Sequence, residues 1–159
     1  MVVFALGCSF TFENALEKAD VPVWHIDNNK TVPMFRSNID TVPSGPFSGK
    51  MVVSMRAIPE DRVDEVIAIS RRFPLAHGAP VYWGDPAGLG IADIANPDWG
   101  DAAPVGAGEV PVFWACGVTP QVAIETARLP ICITHKPGHM LITDVAEDAE
   151  NPVMTFTNP

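Results

Sequence analysis

Two cysteines stand where a strand is expected to turn into a helix. Cys8 lies in Leu-Gly-Cys-Ser-Phe and Cys116 lies in Trp-Ala-Cys-Gly-Val. The positive end of a helix lowers the pKa of a nearby thiol, so each cysteine is a candidate nucleophile or acid–base group. The alternative is a small apolar residue that fills a buried turn. Cys132, within Ile-Cys-Ile-Thr, is expected in the core, and the absence of a C-x-x-C pair favours free thiols.

Two histidines, His135 and His139, flank the sequence Lys-Pro-Gly. Pro137 and Gly138 break a helix, so the spacing predicts a turn and excludes the helical zinc-protease motif. We expect no metal, because no cysteine or carboxylate stands at ligand spacing nearby. At least one of the two histidines is a candidate acid–base catalyst. The alternative is that their rings only bond loop carbonyls.

The other histidines and one aspartate have weaker sequence signals. His77 lies beside Gly78 where a loop enters a strand, and it could orient a catalytic group or be structural. His25 is expected on the surface. Asp85, followed by Pro86, is predicted first to cap a helix and second to serve as a catalytic carboxylate.

Arginines are scarce, so Arg36 and Arg56 stand out. Arg56 ends the apolar strand Met-Val-Val-Ser-Met-Arg, where its guanidinium could bind a substrate carboxylate. An ion pair with one of the nineteen acidic residues is the equal alternative. Further substrate-binding candidates lie in the same motifs: Ser9, Asn38, Ser54, Gly117 and Thr119. No cofactor is expected, since loop 44–49 lacks the P-loop ending and Gly88-Leu-Gly90 is not a dinucleotide fingerprint.

Strands alternate with helices along the chain, which predicts an α/β fold with a mixed, partly parallel sheet and flanking helices. Ligand sites in such sheets lie beyond the carboxyl ends of the strands. We therefore expect the strand-to-helix junctions at Cys8, Asp85 and Cys116 to share one anion-binding pocket. The predicted strands are 2–6, 21–26, 51–55, 79–83, 110–116 and a pair around 136–139. The predicted helices are 13–19, 60–73, 86–95 and 120–128.

Composition limits the classes of function. Ten basic and nineteen acidic residues give a net charge of −9 over 159 residues, which argues against a nucleic-acid partner. The length predicts one domain. No apolar stretch is long enough to span a bilayer and no secretory leader is visible, so we expect a cytoplasmic protein without a membrane partner.

Several long motifs resemble the D-glutamate cyclase-like hydro-lyase family, over residues 4 to about 145. They are Leu-Gly-Cys-Ser-Phe-Thr-Phe-Glu (6–13), Val-Pro-Met-Phe-Arg-Ser-Asn-Ile (32–39), Phe-Ser-Gly-Lys-Met-Val-Val-Ser-Met-Arg (47–56), Arg-Phe-Pro-Leu-Ala-His-Gly-Ala-Pro-Val (72–81), Gly-Asp-Pro-Ala-Gly-Leu-Gly-Ile-Ala-Asp (84–93), Val-Pro-Val-Phe-Trp-Ala-Cys-Gly-Val-Thr-Pro-Gln (110–121) and Ile-Thr-His-Lys-Pro-Gly-His-Met (133–140).

The resemblance implies one α/β domain over residues 1–159, with a small accessory α+β subdomain at about 20–58. Family members carry a sizeable portion before the Gly-Cys-Ser-Phe segment, so the chain is expected to be truncated at its N-terminus relative to them. The implied activity is that of a carbon–oxygen lyase that dehydrates D-glutamate to 5-oxo-D-proline.

Lactam formation requires a deprotonated amine, a polarised γ-carboxyl group and acid-assisted loss of water. In this hypothesis Arg36, Arg56 and the helix N-termini hold the two carboxylates of a small amino or carboxylic acid. His135 or His139 transfers protons, and His77 or Asp85 orients it. Hydration of another dicarboxylate and non-catalytic carboxylate binding are the alternatives. A homo-oligomer is left open.

Overall fold

The computed structural model describes residues 2–142. Its centre is a four-stranded sheet in the order β1–β2–β4–β3, in which every neighbouring pair is antiparallel. The strands are β1 (Met34–Asp40), β2 (Lys50–Pro59), β3 (Tyr82–Trp83) and β4 (Glu109–Ala115). The mixture of helices and strands is confirmed, but the expectation of a partly parallel sheet is wrong.

Two elements on which the expectation of a partly parallel sheet depended do not form. Residues 21–26 contribute no strand, and a short helix begins there at Trp24. The predicted helix 86–95 is only a 3-10 turn, Pro86–Leu89, which Gly90 ends with a φ of +72°. Without a full crossover helix between them, β3 and β4 run in opposite directions and pair antiparallel.

Within the described residues, four α-helices accompany the sheet: α1 (Phe10–Glu17), α2 (Trp24–Asp27), α3 (Val63–Ser70) and α4 (Thr119–Ala127). Two further 3-10 turns, Glu60–Arg62 and Pro74–Ala76, flank α3. None of the helices between residues 2 and 142 is long and apolar enough to cross a bilayer.

The two faces of the sheet are covered differently. On one face, α1 and α3 pack through Phe12, Leu16 and Val66 against Ile58 and Trp114. The other face is covered by the irregular segment 84–105. The buried residues of this segment are Leu89, Ile91 and Ala103. They pack on four buried residues of the sheet, Phe35, Val53, Met55 and Phe113. Because side chains alternate along a strand, Ser54 and Arg56 of β2 lie on the helix-covered face.

The ends of the described chain differ from the predictions. Residues 2–6 form no strand and are exposed, and no strands flank the turn at residues 136–139. Cys132 was expected in the core, but it is exposed. Because these segments do not pair with the sheet, their apolar side chains are not packed against the core and stay exposed. The accessory subdomain at about 20–58 stays a prediction.

Candidate active site

Arg56 is the centre of a buried polar cluster between β2 and α1. Only 2% of the residue is exposed. Its Nε donates to Glu13 Oε1 at 3.1 Å, and its Nη2 also pairs with that oxygen. Nη1 donates to Ser54 Oγ at 2.8 Å, and Nη2 donates to Ser9 Oγ at 3.0 Å. The structure therefore shows the ion pair that was the alternative interpretation of Arg56.

Aromatic rings surround the guanidinium group of Arg56. Its Cζ lies 5.5 Å from the ring centre of Phe12 and 5.3 Å from that of Trp114. Both rings are fully buried. A desolvated guanidinium next to aromatic faces gains cation–π attraction. The side chain is thus held rigidly, with its hydrogen bonds already made within the protein.

His25 extends the cluster from α2. Its Nε2 lies 3.0 Å from Glu13 Oε1, and only 4% of His25 is exposed. The expectation that His25 would lie on the surface is therefore wrong. Burial alone would raise the pKa of Glu13, but the neighbouring Arg56 and His25 outweigh it and lower that pKa. The carboxylate is consequently charged near neutral pH.

Sequence reasoning missed Glu13 and His25 as site residues. A usable signal was present in β2, where the polar Ser54 and Arg56 interrupt an apolar buried strand. A buried charge requires a partner. Ser9 and Glu13, four residues apart at the start of α1, fall on the same side of the helix and supply that partner.

Lowering the pH should destabilise the protein through Glu13. Its pKa is lowered in the folded state from an ordinary value of 4.5. Its contribution to the free energy of unfolding is therefore complete above that value and is lost as the pH falls through the folded-state pKa. We expect the difference in unfolding free energy between wild type and Glu13→Gln to shrink between about pH 7 and about pH 3.

Urea denaturation across this pH series measures the effect. Glu17→Gln is the matched control, because Glu17 lies on the same helix but is exposed. It should behave as wild type at every pH. A difference between wild type and Glu13→Gln that stays constant with pH would contradict the assignment.

Three chain segments meet beside Arg56. A Cβ on Gly7 would lie 1.8 Å from the Leu75 carbonyl oxygen, so only glycine permits this approach. The Gly7 carbonyl oxygen lies 3.8 Å from the Cβ position of Gly117. Each of these contacts brings a candidate residue close: Cys8 follows Gly7, His77 lies two residues after Leu75, and Cys116 precedes Gly117. The Arg56 charge acts on all three of them.

Burial dominates the acid–base properties of these groups. It raises the pKa of both Cys8 and Cys116, although Arg56 and the backbone N–H groups of Phe10 and Val118 oppose it. The expectation of a lowered pKa at each thiol is therefore wrong in its net direction, because burial outweighs the helix N-terminus, and both thiols are protonated near neutral pH. Burial is the main cause that lowers the pKa of His77, and the positive charge of Arg56 lowers it further. A hydrogen bond with the Gly7 backbone opposes both effects but does not outweigh them. His77 is consequently neutral, and its buried Nε2 has no hydrogen-bond partner among residues 2–142.

A cavity of about 280 Å³ and another of about 330 Å³ flank the cluster. The larger lies on the thiol side, and its lining residues are Leu6, Gly7, Met51, Pro74, Leu75, His77, Ala115, Cys116, Gly117, Thr119 and Pro120. Four predicted site residues thus share one cavity. The smaller lies on the carboxylate side, where Glu13 and His25 face Lys30, Thr31 and Gly138.

Five candidates neither contact Arg56 nor line the larger cavity: Asp85, Arg36, Asn38, His135 and His139. Asp85 follows β3, whose Trp83 pairs with Val112 of β4, and the antiparallel pairing sends the chain toward the start of β4. Cys116 instead follows the end of β4. The expectation that Asp85 would lie beside Cys8 and Cys116 is therefore wrong. Asp85 accepts a hydrogen bond from the Ala87 N–H at 3.0 Å and caps a 3-10 turn.

Arg36 and Asn38 lie on β1, at the sheet edge. Arg36 is half-exposed, stacks 4.8 Å from the Trp99 ring centre, and lies 3.6 Å from Asp98 and 3.7 Å from Glu125. Asn38 donates to the Gly88 carbonyl at 3.2 Å.

His135 and His139 are exposed on their turn and are not lining residues of the larger cavity. His135 Nδ1 lies 2.9 Å from the Lys136 carbonyl oxygen, and His139 Nδ1 lies 3.2 Å from that of Pro137. Gln121 Nε2 donates to the His135 carbonyl at 3.1 Å and holds the turn near α4. Gly138, between the two histidines, lines the smaller cavity.

The hydroxyl of Thr119 is already engaged. Its Oγ1 accepts a hydrogen bond from the Val52 N–H at 2.9 Å and donates to the Val52 carbonyl at 3.3 Å. Thr119 thereby fixes the start of α4 to β2. Within residues 2–142, no three His, Cys, Asp or Glu side chains converge as metal ligands would.

Comparison with known protein families matches residues 2–144 to the D-glutamate cyclase family, and the chain belongs to that family. Among curated proteins, the chain is 81% identical over 154 residues to a protein of Ruegeria pomeroyi and 76% identical over 153 residues to one of Dinoroseobacter shibae. A protein of Bacillus velezensis is 56% identical over 148 residues. All three are described as "Putative hydro-lyase".

These matches cover most of this chain but only part of each relative. They include 97%, 96% and 93% of this chain, in the order given, and 56%, 51% and 56% of the relatives. The chain thus spans about half the length of the curated relatives it matches.

Proposed function

We propose that the 330 Å³ cavity binds a small amino dicarboxylic acid and that the chain carries out a hydro-lyase reaction on it, the dehydration of D-glutamate to 5-oxo-D-proline. One observation carries the proposal. The cavity is lined both by a neutral histidine, His77, and by a protonated thiol, Cys116, next to the buried charge of Arg56. A neutral base and a protonated acid in one cavity are what a dehydration requires.

The electrostatics of the cavity suit a carboxylate. The Arg56 charge acts on His77, Cys116 and Cys8, and the Glu13 charge acts on Cys8 as well. Helix α4 begins at Thr119, a lining residue, so its positive end lies at the cavity. The hydrogen-bond donors of Arg56 are already occupied by Glu13, Ser9 and Ser54, and Glu13 compensates its charge, so the positive end of α4 is the element that attracts the substrate carboxylate in this proposal.

The proposed step balances in atoms and protons. The neutral amine nitrogen of D-glutamate attacks the carbon of the γ-carboxylic acid group, and a carbon–nitrogen bond forms. His77 accepts the proton that the nitrogen loses. Cys116 donates its thiol proton to the departing hydroxyl, the carbon–oxygen bond breaks and water leaves. Transfer of the proton from His77 to the Cys116 thiolate restores both groups.

The other sequence-predicted residues take different positions in this proposal. Ser9 and Ser54 orient Arg56, and Thr119 and Gly117 shape the cavity wall at α4. Cys8 is a second protonated thiol beside the same three segments. The acid–base roles predicted for His135 and His139, and the substrate contacts predicted for Arg36 and Asn38, stay predictions.

Incubation of the chain with D-glutamate tests the proposal. We expect 5-oxo-D-proline to accumulate, as measured by chiral liquid chromatography with mass spectrometry, and we expect D-glutamate to raise the melting temperature. A parallel incubation with L-glutamate tests the chirality of the substrate. A chain that neither forms product nor gains stability with D-glutamate would contradict the proposal.

Non-catalytic binding of a small carboxylate is the second candidate function. It is favoured by one observation, that the chain spans about half the length of its relatives. In that case D-glutamate raises the melting temperature but no product forms.

A further inference from the structure

Two segments of the chain that form no helix or strand, 2–6 and 129–142, present large apolar side chains to solvent. In the first, Val2, Val3 and Phe4 are 79%, 79% and 82% exposed. In the second, Ile131 and Ile133 are 82% and 85% exposed, and Leu141 and Ile142 are 81% and 87% exposed. Single exposed apolar residues are normal on a protein surface, but runs of them mark interaction sites.

Most of the backbone of these apolar segments is also unpaired within residues 2–142. Residues 2–6 and 129–135 belong to no helix or strand, and they make no backbone–backbone hydrogen bonds with other described residues. Ile131 and Ile133 alternate with Cys132 and Thr134, which is the period of a strand. Chain whose backbone N–H and C=O groups are not paired with neighbouring strands can accept an added β-strand.

We propose that the two apolar segments are the docking surface for the polypeptide that the longer relatives carry outside their match to this chain. The length of that polypeptide supports the choice of occupant. The match covers 56% of the Ruegeria pomeroyi protein and 51% of the Dinoroseobacter shibae protein, so a comparable length remains in each of them. The occupant adds strands to the apolar segments and buries their exposed side chains.

Docking would also close the proposed active site. Leu6 and Leu75 line the 330 Å³ cavity, and each is 59% exposed. A polypeptide that covers segment 2–6 therefore covers this side of the cavity and excludes water from it. This consequence rests on the proposed function, whereas the docking itself does not.

Co-expression tests the docking directly. The unmatched part of the Ruegeria pomeroyi protein is produced with this chain, and the product is examined by size-exclusion chromatography with light scattering. We expect a one-to-one complex. In that complex, hydrogen–deuterium exchange at residues 2–6 and 129–135 should slow at least about tenfold relative to the isolated chain.

A matched pair of variants tests the surface. Ile131→Asp together with Ile133→Asp places charge in the docking surface and should weaken the complex at least about tenfold. Val42→Asp is the control, because Val42 is 93% exposed in the loop between β1 and β2. It should bind as the parent chain does.

Three results would overturn the proposal. One is the absence of a complex, with exchange of the two segments equally fast in the full-length Ruegeria pomeroyi protein. The second is protection of the segments in the isolated monomer, where the chain covers itself. The third is a homodimer of this chain that protects them. Because these measurements use no substrate, they fail independently of the D-glutamate assay.

Discussion

Replacing Arg56 with methionine should lower the free energy of unfolding by about 3–5 kcal/mol, the cost typical of breaking a buried ion pair. Methionine preserves much of the apolar contact with Phe12 and Trp114, so the loss comes mainly from charge. The variant leaves the Glu13 carboxylate buried, with His25 as its remaining partner. Ser9 and Ser54 also lose their hydrogen bonds to the guanidinium. Urea denaturation at neutral pH measures the change.

Arg36→Met is the matched control. Arg36 is half-exposed, and its carboxylate partners lie at 3.6 and 3.7 Å, so its loss should cost less than about 1 kcal/mol. The double variant Arg56→Met, Glu13→Gln should be less destabilised than the sum of the two single variants, because the second change removes the uncompensated charge. Equal losses for Arg56→Met and Arg36→Met would contradict the assigned role of the cluster.

Local periodicity predicted the elements that are held by one well-defined apolar face. The spacing of Val63, Val66 and Ser70 predicts a helix over 60–73. All three residues are buried in α3, and the 3-10 turn Glu60–Arg62 directly precedes that helix. The strands predicted at 51–55 and 110–116 correspond to β2 and β4. In these segments the local pattern and the tertiary packing agree.

Strand direction could not be obtained from the same pattern. Alternating strands and helices predict parallel pairing only if each helix is long enough to return the chain across the sheet. In the segment after β3, Gly90 adopts a positive φ and ends the turn begun by Asp85 and Pro86. The connection is therefore irregular, β4 returns antiparallel, and Asp85 lies away from Cys116.

The site depends on contacts that are distant in sequence. Arg56 and Glu13 are 43 residues apart, so an ion pair and a free carboxylate-binding arginine could not be distinguished from the sequence. The pKa values of the two thiols could not be predicted from the sequence for the same reason. A helix N-terminus is visible in the sequence and lowers a thiol pKa, but burial depends on tertiary packing and prevails at Cys8 and Cys116.

Replacing His77 with asparagine, or Cys116 with serine, should lower the turnover of D-glutamate by about 10²- to 10⁴-fold, the usual contribution of a positioned acid or base. The pH profile gives a second readout. His77 must be neutral, and its pKa is lowered from an ordinary value of 6.5, so the acidic limb should lie below that value. Cys116 must be protonated, and its pKa is raised from 9.0, so the alkaline limb should lie above it.

Two comparisons make these expectations decisive. Cys132→Ser changes an exposed thiol and should leave both kcat and the pH profile of the parent chain unchanged. Cys116→Ser should remove the alkaline limb, since a serine hydroxyl does not titrate there, whereas a variant that only loosened the fold would keep both limbs. His139→Ala separates the two assignments of the acid–base pair. If it lowers kcat a hundredfold while His77→Asn does not, proton transfer belongs to the exposed turn, and the 330 Å³ cavity is not where the reaction takes place.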